Sequence, residues 1–371
     1  MATRIGIIGG GVQGLSCGWY LAQHGFSVSL FERGVCGSEA SGASAGLLAS
    51  AGDSHAHDDS TFSVLRRHSC ALWRDYAAAL QRASASTIDY KTTGSLCLAF
   101  DGDEHRHWQH HDGGTGVPLD DEALLAREPF VSRDVFSAVY YGEDSHVDGR
   151  LVMRALSKAF VRAGGHLHEQ ATVTEISNKR GRVSGVRLAD GTFCACDFVV
   201  VAAGAWSGTI DGVAQACVVR PVKGQMLSVD MGDKAYVRHA LWCLSSHRDF
   251  FDTFYMVPRS DGRLLIGASV EDVGFDKRVT AGALHALLDS AVRVVPALQA
   301  CPVVATWAGL RPLAYQQTPF IGALDGDPDG LLYACGHYRH GFLLAPYSAQ
   351  VITDMIVGEV GADKKVAGGV A

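Results

Sequence analysis

Two short stretches carry residues able to do chemistry. The first is Gly9-Gly10-Gly11-Val12-Gln13-Gly14, which fits G-x-G-x-x-G. Its first glycine makes a strand-to-helix turn, its second lets backbone approach a pyrophosphate, and its third lets helix and strand pack closely. The helix opening at this point offers free N–H groups and partial positive charge to phosphates. Glu32 follows 18 residues after Gly14, the spacing of a carboxylate that accepts ribose hydroxyls. The second stretch, "GHYRHGFLLAP" at 336–346, sets Arg339 between two glycines just before an apolar run. Such a guanidinium is either a turn residue in water or a fork waiting for a carboxylate beside something bulky.

A third signal is "SEASGASAGLLAS" at 38–50, dominated by small residues. It reads as a flexible loop or as backbone that passes close to a large planar cofactor, a flavin rather than a nicotinamide. Two rival motifs are weaker. Gly14-Leu15-Ser16-Cys17-Gly18 matches the hydrolase elbow G-x-S-x-G, but Ser16 falls inside the helix after the first strand. Cys194 and Cys196 alternate on a strand with no second pair nearby, so no metal is expected.

The bulk of the chain limits the functions available. Its 371 residues are enough for two lobes. A net charge of −7 without a basic tract argues against a nucleic-acid partner. No apolar run reaches the ~20 residues of a membrane span, and the ten cysteines form no disulfide framework. A cytoplasmic location with reduced thiols is expected.

The elements that must position these residues are legible in outline. Residues 4–8, the helix to about His24 and "SVSLFE" ending at Glu32 make a β-α-β unit. Phe62, Leu65, Leu72, Tyr76 and Leu80 predict an amphipathic helix over 61–83. "HRHWQHHDGG" at 105–114 reads as a solvated loop. Asp148 is the expected N-cap of a helix ended by Gly164 and Gly165. Residues 192–203 read as one buried parallel strand running into a ligand crevice. A helix at about 281–294, a strand at 330–336 and a helix over 342–357, with Pro346 in its first turn, complete the chain. The predicted fold class is α/β: a Rossmann-like dinucleotide-binding lobe interleaved with a mostly antiparallel sheet lobe.

The glycine loop, Glu32-Arg33, "ASAGLLA" at 43–49, "AAGAWS" at 202–207, "RPVKGQML" at 220–227, "YMVPRSDGRLLIGAS" at 255–269, "AGLRP" at 308–312 and the C-terminal motif stand in this order. Together they resemble the D-amino-acid-oxidase family of flavoproteins, and within it the bacterial branch that oxidises glycine for thiamine thiazole synthesis. The likeness covers nearly the whole chain. It implies FAD, held non-covalently although Cys335 lies near the site. The ADP half would rest on Gly9, Gly11, Val12, Gln13, Gly14, Glu32 and Arg33. Ser41, Gly42, Ala45, Gly46 and Leu47 would follow the diphosphate and flavin edge. Val173 would meet adenine, and Gly204 and Trp206 would stand beside the flavin. Gly336, His337, His340, Gly341, Phe342 and Leu343 would face its pyrimidine side.

Tyr255, Arg311 and Arg339 match the residues that hold the substrate. The resemblance assigns the FAD lobe to 1–85, 146–222 and 301–371, and the substrate lobe to 86–145 and 223–300. It implies a small amino-acid substrate, molecular oxygen as acceptor, a homotetramer and hand-off to a thiazole synthase. The sequence departs from the family at His340, where asparagine is common, and at Leu47, where methionine is frequent. The same motifs also suit a D-amino-acid dehydrogenase that passes electrons to a quinone, and a non-enzymatic FAD-binding module.

Overall fold

The computed structural model describes residues 2–49, 61–111, 116–214 and 219–367. A six-stranded sheet forms the first layer, in the order Phe320–Gly322, Leu331–Cys335, Phe198–Val201, Arg4–Ile8, Ser27–Phe31, His166–His168. All neighbours are parallel except the edge strand Phe320–Gly322. Arg4–Ile8 is central and runs straight into the glycine turn. The helix Val12–Gln23 that follows buries Leu15 and Trp19 in the same core as Ile5 and Ile7. Helix Gly149–Arg162 starts where expected. The Asp148 carboxylate accepts the backbone N–H groups of Arg150 and Leu151, satisfying donors that have no partner within the helix. It ends at Gly164 and Gly165, whose N–H groups return to Val161 and Phe160.

The second layer is an eight-stranded sheet: Val303–Ala314, Val219–Asp230, Arg263–Gly267, Thr253–Pro258, Ala240–Leu244, Ser95–Ala99, Ser137–Tyr141, Val117–Leu119. Only the pair Ala240–Leu244 and Ser95–Ala99 is parallel. Helix Ala281–Val294 packs Ala286, Leu287 and Ala291 into a core with Leu227, Leu241, Phe254 and Ile266. The chain thus leaves the parallel sheet and returns to it, which gives the α/β fold expected. The strands Val219–Asp230 and Val303–Ala314 lie along each other in the large sheet, so 303–314 is not part of the dinucleotide-side sheet. Among the described residues no helix is long and apolar enough to cross a membrane.

Three sequence readings need correction. Residues 192–203 are two strands in two sheets: Phe193–Ala195 is antiparallel to Arg182–Leu188, and Phe198–Val201 joins the parallel sheet. The switch falls at Asp197, whose carboxylate takes the Arg4 backbone N–H and its guanidinium. The segment read as a solvated loop is helix Gly102–His111 in its described part; residues 112–114 lie outside the described residues. Asp101 caps it by accepting the N–H groups of Asp103 and Glu104, and Trp108 is buried with its Nε1 donating to Leu98 O at 2.9 Å. The last helix starts at Ala345, after hydrogen-bonded turns over 340–344, and keeps Pro346 in its first turn.

Candidate active site

One cavity of about 320 Å³ runs between the two sheets, a size typical of cofactor and ligand sites. Its nucleotide side is built at the end of strand Arg4–Ile8. Gly9 has φ +110°, and a Cβ there would lie 2.4 Å from Ala202 O. Only glycine fits this backbone. The helix N-terminus at Gly11 has no side-chain cap of its own, and Ser41 Oγ accepts the Val12 N–H at 2.9 Å. Glu32 is buried, and its two oxygens accept the N–H groups of Gly10 at 2.7 Å and Gly34 at 2.8 Å. Arg33 stacks on Trp206, 3.5 Å from guanidinium carbon to ring centroid, and pairs with Glu39.

The small-residue loop is tied down from three directions. Trp307 Nε1 donates to Ala43 O at 2.9 Å, Arg259 donates to Ala45 O, and Leu47–Leu48 pairs with Ser145–His146. The C-terminal turn is held as firmly. Gln13 Nε2 donates to Gly341 O at 2.7 Å, while Trp73 Nε1 and Ser69 Oγ donate to Leu343 O at 3.0 and 2.6 Å. His337 is buried with its Nε2 on Ser348 Oγ at 3.0 Å. Burial, and then the neighbouring His340, push its pKa down to about 3, so it is neutral.

Elsewhere on the same wall stand Arg311, Arg339 and Tyr255. Strand Val303–Ala314 carries Arg311 and is joined to the C-terminal turn by Tyr338 N to Pro312 O at 2.8 Å. Both arginines line the same cavity. Arg311 Nη1 donates to Ser269 O at 3.0 Å; burial, with Arg339 adding to it, lowers the Arg311 pKa against an opposing effect of Tyr255. Arg339 is an exposed residue of the cavity wall. Tyr255 packs edge-on against Trp242, with centroids 5.3 Å apart.

Gly11, Val12, Gln13, Ser41, Ala45, Leu47, Val173, Gly204, His340, Phe342 and Leu343 also line this cavity. Gly14, Gly42, Gly46 and Gly336 do not. They serve packing: a Cβ on Gly14 would be 2.0 Å from Gly9 O, one on Gly42 2.1 Å from Gly37 O, and one on Gly46 2.1 Å from Val147 O. Gly336 would meet Ala314 at 2.8 Å. Sequence reasoning missed Gly224, Met226, Trp242 and Arg66, all of which line the cavity. Arg66 had a signal: it sits four residues after Phe62 and seven before Trp73, a charge on an otherwise buried helical stripe.

Residues 4–355 match the family described as FAD dependent oxidoreductase, DAO. The chain belongs to the DAO family. It is 32% identical over 367 residues to the glycine oxidase of Pseudomonas putida, covering 96% of this chain and 95% of that protein. The crystal structure of glycine oxidase from Bacillus cereus superposes with a TM-score of 0.87 at 31% identity, covering 96% and 95% of the two chains. The bifunctional protein ThiO/ThiG of Synechocystis is 32% identical over 95% of this chain, which spans 51% of that longer protein.

As a DAO-family member the protein is an FAD-dependent oxidoreductase, and its cavity fits that cofactor. A Cβ-free turn at Gly9, a helix start at Gly11 with no side-chain cap of its own and a buried carboxylate at Glu32 are the donor and acceptor set that a dinucleotide needs. Among the described residues no group of three or more His, Cys, Asp or Glu is placed to hold a metal ion.

Proposed function

We propose that this protein oxidises glycine and small relatives such as sarcosine and small D-amino acids. The observation that carries the reading is the convergence of Arg311, Arg339 and Tyr255 on the cavity that also holds the glycine turn and Glu32. Arg339 takes the substrate carboxylate in a two-pronged hydrogen bond, which fixes orientation as well as charge. Arg311 adds a second cation, and the Tyr255 hydroxyl donates to the same carboxylate. Gly9, Gly11, Glu32 and Arg33 hold the ADP half of FAD, and Ser41, Ala45 and Leu47 its diphosphate and ring edge. Trp206, Val173 and the 337–343 turn complete the cradle.

FAD, when bound, accepts two electrons as a hydride from the amine-bearing carbon. The protein's part is position and electrostatics. No base is required at that carbon. His337, neutral and bonded to Ser348, supports the turn. Over a full cycle the amine, oxygen and water give a 2-oxo acid, hydrogen peroxide and ammonia, or methylamine where the substrate is sarcosine. We extend the reading to a cytoplasmic enzyme that hands its imine to thiazole synthesis. The relatives in which a ThiO part is joined to ThiG support this extension.

Purified protein loaded with FAD tests the reading. Anaerobic glycine is expected to bleach the flavin absorbance, and air to restore it with release of peroxide. A flavin that stays oxidised under glycine, sarcosine and D-alanine alike contradicts it.

A further inference from the structure

The nucleotide side of the cavity is bordered by a segment of the large-sheet layer that the cradle does not use. Residues 271–280 follow strand Arg263–Gly267, and both ends of this stretch are pinned to strand Val219–Asp230. Lys223, buried, pairs with Glu271 at 2.8 Å and donates to Arg278 O at 3.2 Å. Gln225 Nε2 donates to Glu271 Oε1 at 2.7 Å, and Gln225 Oε1 accepts the Thr280 N–H at 2.7 Å. Between the pins, residues 272–275 and 277 are exposed.

Two side chains of this strap cross to the cofactor cradle. The Phe275 ring packs on Trp206 with centroids 5.2 Å apart. Lys277 Nζ donates to Glu39 Oε2 at 3.0 Å. Arg33 completes the set. Its Nη2 donates to the other Glu39 oxygen at 2.8 Å, and its guanidinium carbon lies 3.5 Å from the Trp206 centroid. Arg33, Glu39, Lys277, Phe275 and Trp206 therefore make one closed circuit that joins three stretches far apart in the sequence. Arg33, Glu39 and Trp206 line the cavity, whereas Phe275 and Lys277 do not. Phe275 is 48% exposed, and the Arg33 and Lys277 side chains are 39% and 44% exposed. The circuit thus stands where the nucleotide side of the cavity meets solvent.

We propose that Phe275 and Lys277 are positioning residues of the FAD site, carried on a strap that must lift from Trp206 and Glu39 before FAD is taken up or released. Neither side chain lines the cavity, so the strap acts on the barrier to exchange more than on the contacts of bound FAD. Breaking it speeds both directions and leaves affinity nearly as it was. A residue that grips FAD directly behaves otherwise: its loss speeds release, leaves uptake unchanged and weakens affinity. This inference rests on the FAD cradle proposed above and holds whichever amine is oxidised.

The test follows FAD fluorescence. Release is read by diluting the holoenzyme, and uptake by mixing flavin-stripped protein with FAD. Phe275→Ala is expected to raise both rates by about two- to tenfold, the worth of one ring contact. Lys277→Gln is expected to raise both by about two- to fivefold, the worth of an exposed ion pair. Phe275→Tyr and Lys277→Arg keep the ring and the charge and are expected to stay near the parent. Salt screens an exposed pair, so sodium chloride is expected to quicken release from the parent more than from Lys277→Gln. Parental rates in both Phe275→Ala and Lys277→Gln overturn the strap. So does faster release with uptake unchanged and a weaker Kd, or conservative variants as fast as the disruptive ones. A parental release rate that salt leaves unchanged overturns it without any variant. Weaker FAD binding in Glu32→Ala beside parental exchange in both strap variants overturns the strap alone. If Glu32→Ala also binds FAD with the parental Kd, the cradle is misplaced and this inference falls with it.

Discussion

Gly224 and Arg311 stand on adjacent strands two register positions apart, Gly224 opposite Gly309 and Arg311 opposite Val222, and a Cβ placed on Gly224 would lie 2.3 Å from Arg311 Nη2. Bare backbone on one strand thus makes room for the guanidinium that the next strand presents to the cavity. The atom in the way is the end of a long side chain, so it yields by moving rather than by breaking the sheet.

Gly224→Ala is therefore expected to fold with a thermal midpoint close to the parent's but to displace Arg311. A shift of roughly 1 Å in such a positioning group costs about 100-fold in turnover efficiency. Steady-state kinetics with glycine beside a melting curve checks this. Parental kcat/KM in a well-folded variant argues that Arg311 has no part in holding substrate.

Glu32 accepts two backbone N–H groups and, in the proposed FAD cradle, would also accept from the ribose. Glu32→Ala removes a charged acceptor and leaves those donors without it. FAD affinity is expected to weaken by about 10- to 100-fold, equivalent to roughly 1.5–3 kcal/mol. Quenching of free FAD fluorescence on titration measures this. An unchanged Kd places the adenosine half elsewhere.

Two buried histidines set an acid limit on stability. Burial pushes His337 down to about 3 and His146 to about 4, both below the ordinary 6.5. Between these values and 6.5 the unfolded chain binds protons that the folded chain refuses. Their contribution is therefore present above about pH 6.5 and is lost as pH falls toward 4. Each histidine contributes a slope of up to about 1.4 kcal/mol per pH unit. Urea unfolding at pH 7, 6 and 5 tests the sign, and His337→Gln is expected to flatten the trend. Constant stability across that range refutes it.

Local chemistry made part of the site legible. The glycine turn, Glu32 and the cap at Asp148 depend on neighbours within a few tens of residues, and composition records them. The break at Cys196–Asp197 was hidden because an apolar run does not say which sheet receives it; a contact with Arg4, far away in sequence, decides that. Helix Gly102–His111 was missed because its buried anchor, Trp108, gave no period. Arg66 was passed over because reading that helix for apolar spacing ignores a charge on the same stripe. The roles of Gly14, Gly42, Gly46 and Gly336 separated from those of the cavity-lining glycines only when the backbones around them were in place.

The most direct test is the rate at which anaerobic glycine reduces the FAD-loaded Arg339→Ala protein, set beside the parent. The variant should keep its flavin and its fold, yet lose roughly 30-fold or more in reduction efficiency, as expected for about 2–5 kcal/mol of lost carboxylate binding. Reduction at the parental rate would show that residue 339 does not hold the substrate.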